Sequence, residues 1–201
     1  MKLIAHRGIW QEKRNANSKE ALQKALESPH YIGVECDVRE TKDGKFIIYH
    51  DPIYQTKLVG SCLYKEFQKN KNIPLLEDVL KIKSDKIYLL EIKSQNIDKQ
   101  KFFKLLKKYK RNIYIMSFNE RIIRELRSIN KEYKYGVLNY ILNSDNNYNY
   151  DFICLIDSIA KRSVIDSFQK KNIDVIIYAT RKIRNNVMCI VDDYKKEKLM
   201  K

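Results

Sequence analysis

Apolar positions along the chain alternate between two patterns: runs of strand length rich in Ile, Val, Leu and Tyr, and longer stretches in which apolar residues recur with helical period. The runs predict strands at Lys2–Ala5, Ile32–Val38, Phe46–His50, Ile87–Ile92, Ile113–Ser117, Lys134–Leu138, Phe152–Ile156 and Val175–Ala179. A short ninth, Val187–Val191, is the weakest by length. Helical period falls between most of them, at Ser18–Glu27, Leu75–Ile82, Asp98–Tyr109, Asn119–Ile129 and Lys161–Lys171. Strand followed by helix, repeated, is the pattern of an α/β fold with a parallel sheet. Eight repeats predict a (β/α)8 TIM barrel, compact and near the lower size limit at 201 residues. The chain reads as one domain over 1–201, with no internal repeat and no linker to a second domain.

Two connections stand out. Arg39–Lys45 (RETKDGK) leaves no room for a helix and carries a D-G turn signal. Extended, it still reaches about 23 Å at roughly 3.3 Å per residue, so the reading keeps parallel pairing there. Asn143–Tyr150 (NSDNNYNY) reads as a polar loop.

Composition narrows the class. With 44% hydrophobic residues, 5 Gly and 3 Pro, the chain carries enough apolar surface for a packed core. No apolar run reaches the roughly 18–20 residues that cross a bilayer, and the N-terminal MKLIAHRG is too short an apolar stretch for a secretory signal. A cytoplasmic location is expected. Cys36, Cys62, Cys154 and Cys189 are widely spaced, with no C-x-x-C pair, and read as reduced buried thiols. Forty Lys and Arg against 25 Asp and Glu give a net charge of +15, which admits an anionic partner such as a membrane surface. The basic segment Lys99–Arg111 is the candidate for that contact, although its apolar side (Phe102, Phe103, Leu106, Tyr109) fits a helix packed on its own core. No nucleic-acid partner is expected.

In a barrel of this kind chemistry gathers at the C-terminal ends of the strands, and ionisable residues concentrate there. His6 and Arg7 end the first strand, Glu35 and Asp37 the second, His50 the third, and Glu91 with Lys93 the fourth. Glu35 and Asp37 are two apart and share a face roughly 6–7 Å apart, with Cys36 on the other. Three converging carboxylates repel one another unless a cation compensates, and all-oxygen ligands select Mg²⁺ or Ca²⁺. A metal, two cationic side chains and two histidines suit phosphodiester chemistry. His30, beside Pro29 in a loop, lies outside this set.

These residues fall in motifs with a known order: HRG (His6–Gly8), ECDVRETKDGKFIIYHD (Glu35–Asp51), IPLLEDVL (Ile73–Leu80), EIK (Glu91–Lys93) and MSFNERIIRELR (Met116–Arg127). In this the chain resembles the glycerophosphodiester phosphodiesterase family, over most of its length and most specifically through residue 127. The resemblance implies a (β/α)8 barrel in which His6 and His50 are the general acid–base pair. It implies Glu35, Asp37 and Glu91 as ligands of one divalent metal, Mg²⁺ or Ca²⁺, and Arg7 and Lys93 as cations on the phosphate. It implies cleavage of a small glycerophosphodiester to glycerol 3-phosphate and an alcohol, through attack by the substrate's own glycerol hydroxyl and a cyclic phosphate. Two departures are visible. The family's P-E-N-T is Asn15-Ala16-Asn17-Ser18, and its W-T-V-N is Tyr178-Ala179-Thr180-Arg181. The alternatives are a phospholipase-D-like or cyclising lyase on lysophospholipids, and a non-catalytic module for polyanions or anionic membranes. A choline leaving group would call for an aromatic box, for which Trp10, Tyr54, Tyr64 and Tyr178 are candidates.

Overall fold

A strand covered on both sides reads as a nearly unbroken apolar run, and parallel strands need a crossover between them, so these segments close most economically into a barrel sheathed in helices. The structure, a computed structural model, describes residues 1–141 and 149–192. In chain order its elements are β1 (Lys2–His6), α1 (Lys19–Glu27), β2 (Gly33–Glu40), β3 (Phe46–Ile48), β4 (Ile53–Tyr54), β5 (Lys57–Leu58), α2 (Tyr64–Phe67) and α3 (Leu76–Leu80). There follow β6 (Ile87–Ile92), α4 (Lys99–Lys107), β7 (Asn112–Ser117), α5 (Glu120–Ile129), β8 (Lys134–Asn139), β9 (Phe152–Ile156), α6 (Arg162–Gln169), β10 (Asp174–Tyr178) and β11 (Met188–Val191). Strands β1, β2, β6, β7, β8, β9, β10 and β11 pair in parallel in that order, and β11 returns to β1. The predicted (β/α)8 barrel is therefore present and closed.

Two strand assignments are corrected. Phe46–His50 is not a barrel strand: it shortens to β3, which lies antiparallel on β2 with Val38 opposite Ile48 and Glu40 opposite Phe46. The reason is the D-G turn. Gly44 takes φ +71°, and the Thr41 and Gly44 amides close on the Lys45 and Thr41 carbonyls, which reverses the chain at once. Val187–Val191, the weakest run, is the strand that closes the barrel, as β11. The β4–β5 hairpin and α2 were not expected; they cover a small apolar cluster of Ile47, Val59, Cys62, Phe67 and Ile73 beside the mouth. Of the polar loop expected at Asn143–Tyr150, residues 143–148 lie outside the described residues.

Helix starts follow local chemistry. The Ser18 hydroxyl accepts the Ala21 amide at 3.2 Å and the Asp98 carboxylate accepts the Lys101 amide at 3.0 Å, so both residues cap the helices that were expected to begin on them. On α4, Phe102, Phe103 and Leu106 are buried against the strands, so the apolar side of the basic segment is core. Among the described residues no helix is long and apolar enough to cross a membrane.

Alternation divides each strand between two apolar layers. Ile4, Leu89, Tyr114, Met116, Leu138, Phe152, Cys154, Ile176 and Ile190 fill the barrel interior. Leu3, Val34, Cys36, Leu90 and Ile115 point outward to the helices, where they meet Leu22, Phe102, Ile123 and Leu126. Gly136 is required inside: a Cβ there would sit 2.3 Å from ring carbons of the fully buried Phe152. Interior residues nearer the strand ends are ionisable, and they form the site.

Candidate active site

The end of β1 places the first group. Beyond His6 the backbone turns sharply, with Arg7 at φ 57° and Gly8 at φ 86°, and a Cβ on Gly8 would meet the Ala21 carbonyl carbon at 2.4 Å. Only glycine lets the chain pass so close to α1. The turn aims the Arg7 amide at the Glu35 carboxylate (Oε2, 3.1 Å) and its guanidinium Nε at Asp37 Oδ2, 2.9 Å away.

Glu35 and Asp37 share the inner face of β2, as alternation predicts; β6 adds Glu91 in register, opposite Asp37, and Lys93 follows at its end, its amide donating to the Val38 carbonyl. All three carboxylates are buried, and each offers an oxygen within 4.8 Å of the others. Their environments differ. Burial and then the charge of Asp37 push the Glu35 carboxyl up to about 8. Glu91 is raised for the same two reasons, against the pull of Lys93. Asp37 goes down: burial opposes its charge, but Arg7, Lys93 and a hydrogen bond from Asn17 outweigh it. Lys93 Nζ lies 2.6 Å from Glu91 Oε1 and 3.5 Å from Asp37 Oδ1. Glu35 Oε1 is buried with no hydrogen-bond partner. An uncompensated carboxylate oxygen in a buried all-oxygen cluster fits a hard divalent cation.

The histidines flank this cluster. His6 Nδ1 lies 2.6 Å from Asp192 Oδ1, and its Nε2 3.8 Å from Glu35 Oε2. Burial lowers the His6 pKa, but the Asp192 hydrogen bond and the Glu35 charge outweigh it and the net shift is upward. His50, in the segment after β3, pairs its Nδ1 with Asp51 Oδ1 at 2.7 Å, and burial pulls its pKa below the ordinary value. The two rings are thus poised in opposite senses.

The structure brings together all seven residues expected from the sequence. His6, Arg7, Glu35, His50, Glu91 and Lys93 line one cavity of about 490 Å³ at the C-terminal mouth, and Asp37 lies fully buried against Arg7 and Lys93. His30 is exposed and apart from it. Of the expected aromatic box only Tyr178 faces the cavity. Its neighbours there are Phe118 and Tyr140, with ring centroids 6.0 and 6.1 Å from Tyr178, while Trp10, Tyr54 and Tyr64 do not line it. Tyr54 packs on Phe67 instead, at 4.4 Å. Arg181 is exposed on the cavity rim, its amide donating to Asp157 Oδ2 at 3.3 Å.

Three contributors were missed. Asn17 donates to Asp37 Oδ2 at 2.7 Å from a left-handed backbone, φ 67°. Arg39 donates to the His50 carbonyl from Nε (3.0 Å) and Nη2 (2.7 Å), and to the Lys93 carbonyl from Nη1 (3.1 Å), tying two site residues to one strand. Asp192 continues the alternation of Met188 and Ile190 past the end of β11, a signal the sequence did contain.

Residues 6–187 match the family model described as Glycerophosphoryl diester phosphodiesterase family. A curated relative from Caldanaerobacter subterraneus subsp. tengcongensis, a glycerophosphodiester phosphodiesterase, is 28% identical over 163 residues, 68% of this chain and 65% of that protein's length. The chain thus spans less than two thirds of that relative. Among solved structures, a glycerophosphodiester phosphodiesterase from Parabacteroides distasonis superposes with TM-score 0.81 at 21% identity, covering 98% of this chain and 94% of the other. An Oleispira antarctica phosphodiesterase in complex with sn-glycerol-3-phosphate superposes with TM-score 0.82 at 16% identity, with the same coverages of 98% and 94%. At these identities the superpositions establish the fold.

Proposed function

The chain belongs to the glycerophosphoryl diester phosphodiesterase family, and from that premise we propose that it hydrolyses glycerophosphodiesters to glycerol 3-phosphate and an alcohol. The observation that carries the reading is the buried carboxylate cluster with its orphaned Glu35 Oε1, set between two histidines of opposite pKa shift at the end of a cavity. Glu35, Asp37 and Glu91 would hold one divalent cation, Mg²⁺ or Ca²⁺. Such an ion, when bound, supplies charge neutralisation at the phosphate oxygens.

The protein's own groups do the rest. Arg7 and Lys93 add positive potential where the phosphate sits, held in place by Asp37 and Glu91. A glycerol hydroxyl attacks phosphorus while one histidine takes its proton and the other protonates the departing alcohol oxygen, so one P–O bond forms and one breaks. Water then opens the cyclic phosphate with the two proton roles exchanged. The opposite shifts favour the protonated form of the His6 ring and the neutral form of the His50 ring, the complementary roles that this exchange requires. Asp192 and Asp51, each on an Nδ1, orient the rings.

The substrate is a small molecule, with no nucleic acid involved. Four free, buried cysteines fit a reducing compartment such as the cytoplasm.

The test is release of glycerol 3-phosphate from a panel of glycerophosphodiesters by purified protein with Mg²⁺, Ca²⁺, Mn²⁺ or EDTA, beside Glu35→Gln and His6→Ala. Metal-dependent release abolished by both substitutions is expected. Release that persists in EDTA, or in His6→Ala, refutes the mechanism, and accumulation of cyclic phosphate as end product assigns the protein to cyclising lyases instead.

A further inference from the structure

The mouth holds a second cavity, of about 420 Å³, that shares Arg7 and His50 with the first. Its walls are the β1–α1 loop and the segment around Asn72. The Asn72 side chain joins them by donating to the Arg14 carbonyl and to Asn15 Oδ1, both at 3.2 Å. The two cavities differ in chemistry. The first has an aromatic side, Phe118, Tyr140 and Tyr178, suited to the C–H skeleton of a polyol. The second is lined by the exposed cations Lys13 and Arg14 together with Arg7 and His50, and by a single carboxylate, Asp51. Asp51 is paired with His50, and Arg14 Nε with Glu12 Oε2 at 2.5 Å, whereas among the described residues no carboxylate lies within ion-pair distance of Lys13. Ala16, on the same wall, adds a methyl group and no charge.

A phosphodiester held where the cavities meet sends one ester arm into each. The glycerol arm is common to every substrate of the proposed class and is neutral, so differences in charge reside in the alcohol. We propose that the second cavity is the alcohol subsite and that it selects glycerophosphodiesters whose alcohol carries a further phosphate group. This rests on the phosphodiesterase reading above. The same cations disfavour a choline alcohol, whose quaternary ammonium would be repelled by Lys13 and Arg14.

The experiment compares kcat/KM for glycerophosphocholine, glycerophosphoglycerol and glycerophosphoglycerol bearing a terminal phosphate monoester. Wild-type protein should favour the phosphorylated substrate over the neutral one by about three- to tenfold, as expected for one unpaired surface cation beside one that Glu12 partly neutralises. That preference should shrink as salt rises from about 50 to about 500 mM. The double substitution Lys13→Gln, Arg14→Gln should remove it through KM while leaving the neutral substrate within about twofold. Ala16→Glu, which adds a carboxylate to the same wall, should do likewise without touching either cation.

A wild-type preference for choline, or a ranking unchanged in both variants, overturns the subsite while leaving the phosphodiesterase reading intact. If none of the three substrates is cleaved with any metal, that reading fails and the subsite with it.

Discussion

Replacing Asp192 by Asn tests how much of the chemistry depends on the pair at the barrel mouth. The change is isosteric and removes one negative charge from an oxygen 2.6 Å from His6 Nδ1. Asn still offers a carbonyl to an Nδ1–H donor, so ring position is largely kept while the charge assistance is lost. Hydrogen bonds to charged groups contribute about 1.5–3 kcal/mol, against about 0.5–1.5 for neutral ones. The difference, about 1–2 kcal/mol, is roughly a 5–30-fold loss of rate. It should fall on kcat in glycerol 3-phosphate release, with KM within about twofold, because Asp192 acts through His6 and not on substrate. The Asp192 hydrogen bond also helps to raise the His6 pKa, so the limb of the pH–rate profile that reports His6 should move to lower pH in the variant. Stability follows the same sign. A histidine raised above its ordinary 6.5 contributes stability below that pH and loses it as pH rises through the folded-state value. The metal-free variant should therefore trail wild type more at acidic pH than at alkaline pH. Unchanged kcat, a loss confined to KM, or a stationary limb would refute the reasoning.

Further outcomes follow from other parts of the site. Metal-free protein should lose stability as pH rises from about 4.5 to about 8, because the folded state holds a proton on Glu35 that the unfolded chain releases. Saturating Mg²⁺ or Ca²⁺ should raise Tm by about 5–10 °C for a ligand at 100 times its Kd, by more at pH 8 than at pH 5, and differential scanning fluorimetry with EDTA controls reads both. Gly136→Ala forces a Cβ against Phe152 and should lower Tm by about 5–10 °C without changing KM; an unchanged Tm would show that the barrel floor has slack. Arg39→Gln frees the carbonyls of His50 and Lys93, and should cost about 1–3 kcal/mol in urea unfolding and about tenfold in kcat. All four cysteines are buried, so a thiol reagent should titrate four thiols in denaturant and essentially none in the native protein.

The sequence exposed most of this site because the inner positions of a strand follow from alternation alone. Glu35 and Asp37 had to share a face with Cys36 opposite, and Glu91 and Lys93 likewise. His6, Arg7 and His50 were legible by their place at the ends of apolar runs. Asn17 and Arg39 were not, since they act through hydrogen bonds to a group distant in sequence or to backbone carbonyls, which leave no periodic trace. Asp192 lay on a detectable alternation, but at the end of a run too short to stand out.

Local chemistry written in the chain thus determined the barrel strands and the longer helices, their inner and outer faces, and the kinds of ionisable group at their ends. Tertiary structure decided which run left the barrel and which closed it. The immediate reversal at Gly44 turned β3 antiparallel, and β11 found β1 through a pairing across nearly the whole chain. It also decided the ionisation of the cluster. Three carboxylates within 4.8 Å of one another owe their unequal pKa shifts to burial and to cations from other strands. Desolvation and Coulomb interaction depend on distance in space, and distance in space is set only once the barrel closes.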